Sequence, residues 1–152
     1  MFPSDALRLF VQGAAYAAAV ALAIAEENAR AAAVYIVGAT GPYAGVVNGF
    51  FEPKREEKGL DGRVIYVKRG DDGVRIEHFQ ENWEVAFVGG HCLAFVSGLC
   101  ALQSCASRVW RVLDAEDAYA DQPRVKILIG VEAELQVNVC SMPQRYQPPF
   151  FL

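Results

Sequence analysis

A chain of 152 residues is enough for one domain, which at this size buries roughly 70% of its unfolded surface. The net charge is −4 and no basic run exceeds a Lys-Arg pair, so the chain lacks the Lys/Arg patch that phosphate neutralisation requires, and nucleic-acid binding is not expected. Hydrophobic residues reach 53%, and the surplus lies at the two ends, in an Ala-rich N-terminal stretch and a C-terminal Pro-Pro-Phe-Phe-Leu, which points to a partner, a membrane or a removable segment.

Residues 4–33 read as one helix. Ser4 suits a cap, Asp5 suits the first turn, and alanine has the highest helix propensity. No charged residue occurs over 9–25, which reaches the lower length limit of a membrane span, although alanine contributes little to insertion and Gln12 and Gly13 oppose it. Small residues recur every fourth position at Gly13, Ala17, Ala21 and Ala25, a stripe that lets another helix approach closely. Three readings compete for this segment. A signal peptide would use Arg8, the apolar core and Ala23-Ile24-Ala25 before Glu26 as its cleavage site. A retained helix would contact a membrane through 9–25 or dock on protein subunits, and an ordinary helix would pack on its own domain. The retained docking helix is the expectation carried forward.

From Val34 the pattern changes to short strands, expected at 34–37, 46–51, 64–69, 74–79, 83–88, 93–96, 109–113 and 125–139. Gly70-Asp71-Asp72-Gly73 and Gln80-Glu81-Asn82 offer hairpin turns, and the mixed-sign run Lys54-Arg55-Glu56-Glu57-Lys58 reads as a solvated loop. Trp83 and Trp110 each open a Trp-x-Val triplet and are expected to anchor the core. The last strand is the most regular: every odd position from Val125 to Val139 is apolar, with a bend or bulge expected at Gly130. Beyond it, Phe150, Phe151 and Leu152 end a proline-extended tail and read as a docking peg.

Few residues suggest chemistry. Val34–Val37 followed by Gly38-Ala39-Thr40-Gly41 imitates the start of a dinucleotide-binding unit, but Asn48-Gly49 and Pro53 follow where that mechanism needs a helix, so the glycines are assigned to turns. His78 is in phase with Val74 and Ile76 and reads as a core histidine. His91 with Cys100 or Cys105 is the remaining route to a small Cys/His enzyme, a third reading. Cys92, Cys100, Cys105 and Cys140 form no C-x-x-C and no zinc spacing; they permit two disulfides or four buried thiols. Asp71-Asp72 and the group Asp114, Glu116 and Asp117 read as solvated turns, and Arg69-Gly70-Asp71 as a hairpin tip. No catalytic residue, metal ligand or cofactor is assigned.

Gly38-Ala39-Thr40-Gly41, Asn48-Gly49-Phe50-Phe51-Glu52-Pro53, Gly59-Leu60-Asp61-Gly62-Arg63, Tyr66-x-Lys68, Ile76-Glu77-His78 and the two Trp-x-Val triplets together resemble a small module found in many protist proteins, especially those of unicellular algae. The resemblance spans about two-thirds of the chain. It implies no catalytic residues and a binding or scaffolding role. An algal setting further implies an organellar membrane assembly, such as a photosystem or respiratory complex.

The expectation is therefore a mainly β fold, an antiparallel meander forming a sandwich or open barrel, preceded by one Ala-rich N-terminal helix. Its parts are a helix over 1–33, a β domain over 34–140 and an extended tail over 141–152. The expected function is a non-catalytic accessory subunit or adaptor that docks on protein subunits of a larger assembly through Gly13, Ala17, Ala21, Ala25 and the aromatic tail. A secreted β module that binds protein or carbohydrate is the alternative.

Overall fold

The structure, a computed structural model, describes residues 3–141. The expected peg of Phe150, Phe151 and Leu152 lies outside them. Among the described residues the elements run α1 (Pro3–Ala29), β1 (Val34–Val37), α2 (Ala44–Val47), β2 (Gly49–Lys58), β3 (Val64–Lys68), β4 (Asp71–Phe79), β5 (Asn82–Phe87), β6 (Cys92–Ser97), β7 (Trp110–Leu113), β8 (Tyr119–Gln122), β9 (Lys126–Ile129) and α3 (Val131–Ser141). All nine strands join one antiparallel sheet in the order β8-β7-β6-β5-β4-β3-β2-β1-β9.

That order carries a geometric consequence. β8 and β9 are sequence neighbours separated only by Pro123, Arg124 and Val125, yet they occupy opposite edges. In a flat sheet the edges would lie eight strand spacings apart, roughly 38 Å. The link from Gln122 to Lys126 reaches roughly 14 Å at full extension. The meander must therefore curl, and it does so into a half-barrel. Val125 N–H closes the turn on the Gln122 carbonyl at 3.1 Å.

The concave face holds the core. Across adjacent strands Tyr66 faces Ile76, Ile76 faces Val85, Val85 faces Ala94 and Ala94 faces Val112, and all five are buried. Val34 and Ile36 of β1 sit between Phe51 on one side and Ile127 and Ile129 on the other. Trp83 and Trp110 are both buried, as their triplets predict. The short α2 inserts Val47 at one mouth of the trough, and a 3-10 turn at Leu102–Cys105 inserts Leu102 and Cys105 at the other.

Several expectations are corrected. The strand over 125–139 stops at Ile129, and α3 follows. β9 pairs only with the four-residue β1, so past Ile129 a continuing strand has no partner, and Gly130 at φ +60° turns the chain out after its N–H bonds the Ala33 carbonyl. Alternation then persists on a helix, where Ala133 is buried and Val131 and Leu135 are exposed. The β structure thus ends at Ile129. Lys54 to Lys58, expected as a loop, forms the second half of β2. Residues 44–47, expected as loop and strand, form α2, and β8 was not anticipated. The sandwich alternative is replaced by a single curled sheet.

The turn that lets the edges meet is tight at Gly38. Its φ is +89°, and a Cβ there would run into the Arg124 carbonyl, whereas Gly41, at φ +95°, has open space around it. Gly41→Ala is expected to lose about 1–2 kcal/mol from the left-handed backbone alone. Gly38→Ala should lose distinctly more, because the Arg124 backbone must also move. Urea unfolding of both variants measures the difference, and equal losses would mean that the closing corner tolerates displacement.

Candidate functional site

Two clusters of polar side chains lie at opposite ends of β3. At the Lys68 end, the Asn48 side chain accepts from Ala39 N–H and donates to the Ala39 carbonyl, both at 2.9 Å. Gln122 treats Thr40 in the same way, accepting its N–H at 2.9 Å and donating to its carbonyl at 3.1 Å. Two amide side chains thus hold the Gly-Ala-Thr-Gly turn as a neighbouring strand would. Lys68 Nζ donates to the carbonyls of Gly45, Val46 and Asn48, each at 2.8 Å, so its three N–H groups are all occupied. Burial pulls the Lys68 pKa below its ordinary value, with the Asp71 charge opposing.

At the Val64 end, Asp61 Oδ2 lies 2.6 Å from His78 Nδ1 and accepts from Arg63 Nη1 at 2.8 Å. Arg63 extends the network through Nε to Glu27 at 3.2 Å and through Nη2 to the Leu99 carbonyl at 2.6 Å. His78 Nε2 lies 2.8 Å from the Gly98 carbonyl. A neutral imidazole has one N–H and can satisfy one of these two acceptors, whereas the imidazolium satisfies both. Burial alone would raise the Asp61 pKa. The bonds from the Arg63 side chain and backbone N–H, with His78, outweigh it and hold the carboxyl below its ordinary 3.8.

This second cluster also fastens α1. Asn28 accepts Val64 N–H at 3.0 Å and donates to the Gly62 carbonyl at 2.9 Å, while Arg55 donates to the Asn28 and Ala31 carbonyls at 2.8 and 2.7 Å. The second half of β2 has no strand on its outer side, and Arg55 supplies the attachment there. Before Ile24 the helix is uncovered: none of its apolar window is buried, and Gly13, Ala17, Ala21 and Ala25 all face outward. The reading of α1 as an ordinary domain-packed helix is therefore set aside.

The chemistry available to these groups is restricted. His78 is buried and its Nε2 is engaged by a main-chain carbonyl, which leaves no lone pair aimed at a substrate. His91 is exposed before β6, whereas Cys100 and Cys105 follow that strand, so a length of roughly 17 Å separates them and no Cys/His nucleophile forms. Cys92 is nearer, but burial, then the Glu84 charge, pushes its thiol up to about 12. Glu77 and Glu84 are a pairing that spacing along the chain does not reveal: they stand directly opposite on β4 and β5, and burial, with Glu77 adding to it, raises the Glu84 pKa. Among the described residues no group of three His, Cys, Asp or Glu side chains could hold a metal ion.

Two cavities open at the mouths of the trough. One of about 610 Å³ is lined by Tyr43, Phe87, His91, Leu113, Asp117 and Tyr119. The other, of about 570 Å³, lies between the last turns of α1 and the 3-10 turn, against Glu26, Glu27, Arg30, Cys100, Gln103 and Ser104. Comparison of the chain with protein-family models, curated proteins and solved structures finds no match in any of the three.

The Asp61 cluster makes a pH prediction. A carboxyl with a depressed folded pKa contributes stability that is present above its ordinary 3.8 and is lost as the pH falls through the lower folded value. Asp61→Asn is expected to lower the urea midpoint at neutral pH, with a deficit that shrinks to nothing in strong acid. A deficit that stays constant across that range would assign the effect to packing rather than charge.

Proposed function

We propose that this chain is a non-catalytic accessory subunit or adaptor, a β half-barrel held at a membrane by α1. One observation carries the reading. An 18-residue window within Ser4–Ala29 has a mean hydropathy of 1.7, and Leu9, Phe10 and Val11 are 55%, 74% and 56% exposed. Three consecutive residues step about 100° each around a helix, so the apolar surface runs over more than half of its circumference. A helix apolar on so many sides fits a protein core or a lipid environment better than a one-sided groove, and the core of this protein does not contain it. At about 1.5 Å per residue the uncharged run over 9–25 spans roughly 26 Å, the lower limit for crossing a hydrocarbon layer of roughly 30 Å.

The attachment at the other end fits the same use. Glu27 and Asn28 tie the last turn to Arg63, Val64 and Gly62, so the orientation of the helix is passed to the sheet rather than lost in a flexible linker. An organellar membrane, such as that of a photosystem or respiratory assembly, is the setting favoured by the resemblance to algal modules alone.

A second reading has an observation of its own. The side-chain bonds that hold α1 begin at Glu27, just past the Ala23-Ile24-Ala25 cleavage candidate, so removal of the preceding residues would leave them intact. A secreted module of that kind would bind protein or carbohydrate through the cavity lined by Tyr43, Phe87 and Tyr119.

The test is flotation of the full chain with liposomes. The chain is expected to float with the lipid and to resist high salt. Phe10→Asp with Ala17→Asp, both at exposed positions, should abolish flotation, since each buried Asp opposes insertion by about 3 kcal/mol. A wild-type chain that stays monomeric in the aqueous phase would refute membrane attachment. Recovery from its native source of a chain starting at Glu26 would establish the secreted module in its place.

A further inference from the structure

We propose that Cys100 and Cys105 form a reversible disulfide that locks the segment from Gly98 to Cys105 onto the sheet. The two sulfurs lie 3.3 Å apart, in contact as thiols. Their room is specific to the site: a Cβ on the buried Gly98 would stand 2.9 Å from Cys105 Sγ and 3.2 Å from Cys100 Sγ, so this position must lack a side chain for both sulfurs to fit. The segment between them is a 3-10 turn with Leu102 sealed in the core, which holds the two thiols against each other.

The same segment supplies the acceptors for the polar cluster. Trp83 Nε1 donates to the Cys100 carbonyl at 2.9 Å, His78 Nε2 meets the Gly98 carbonyl and Arg63 donates to the Leu99 carbonyl. Linking residues 100 and 105 closes a short loop beside all three bonds. It therefore stiffens the acceptor side of the network that fastens α1.

The route of oxidation follows from access. Cys100 is half-buried and lines the cavity of about 570 Å³ at the end of α1, whereas Cys105 is fully buried. Cys100, as its thiolate, attacks a sulfur of a small-molecule disulfide such as oxidised glutathione; an S–S bond to the protein forms and one small thiolate leaves. Cys105 then attacks the Cys100 sulfur, its proton passes to the second departing thiolate, and the protein disulfide forms. Two thiols are oxidised as one external disulfide is reduced to two thiols, so electrons and protons balance. Burial, then the adjoining Cys100 thiol, raises the Cys105 pKa, which fits a resolving thiol that waits for its neighbour to react.

The experiment uses the full chain carrying Cys92→Ser and Cys140→Ser, so that the pair is all that can oxidise. It is equilibrated with oxidised glutathione, unfolded under acid quench, alkylated and weighed. The expected product has lost two hydrogens, takes up no alkylating agent and melts roughly 5–10 °C higher than its reduced form. Reduction with dithiothreitol should restore both thiols. Addition of Cys105→Ser should halt the reaction at a glutathione adduct on Cys100. Should that last variant fail to fold, the first measurement still decides. Two alkylatable thiols at equilibrium, or a stable glutathione adduct on Cys100 beside a free Cys105, would overturn the proposal.

Discussion

The three-residue link between β8 and β9 is the constraint on which the rest of the molecule depends. It joins the two edges of a nine-stranded sheet, and no flat arrangement allows so short a connection. Curling brings the apolar sides of β1 to β7 into one trough, where Trp83, Trp110, Phe51 and the Tyr66-to-Val112 row become a shared core. The same curl presses Gly38 against Arg124 and brings Thr40 within reach of Gln122. Closure stops short of a full barrel, because β8 and β9 do not pair with each other. β8 remains a short, largely exposed edge bearing Asp121, while α3 packs on β9 and β1.

A half-closed trough needs its mouths plugged, and side-chain amides and charges do that work. Asn48 and Gln122 imitate strand hydrogen bonding at the Gly-Ala-Thr-Gly turn, and Lys68 gathers the carbonyls at the end of α2. Arg63 and His78, both held by Asp61, gather the carbonyls of the segment after β6 at the opposite mouth. These are among the residues that make the sequence look like a module with a recurring motif. In three dimensions they are engaged with the chain itself, where they hold turns and strand ends together.

What remains unoccupied is then informative. The uncovered length of α1, the aromatic cavity beside Tyr43 and Tyr119, and the thiol pair behind Gly98 are features that the folded domain does not use up. The first lies on the helix that the Asp61 cluster anchors, and the thiol pair adjoins that cluster. Events at the helix and at the cysteines therefore bear on the same few carbonyls of residues 98–100.

Much of the architecture is legible in the sequence. β1 matches its apolar run end for end, five more strands fall within a few residues of their alternating segments, and both tryptophans and His78 are buried as their phase requires. These features depend on side-chain periodicity and local turn chemistry, which any reader of the chain can count. The longest alternation of all misleads. Whether residues 131–139 extend as strand depends on a partner, and β1 supplies only four residues of ladder. The half-barrel itself, the convergence of Asp61, Arg63, Glu27 and His78, and the contact of Cys100 with Cys105 likewise depend on which strands become neighbours. The sequence by itself determined the strands, their buried faces and an apolar helix, because these follow from each residue and its near neighbours. Only the tertiary structure decided the curl, the clusters and the end of β9, because each depends on what lies across the sheet.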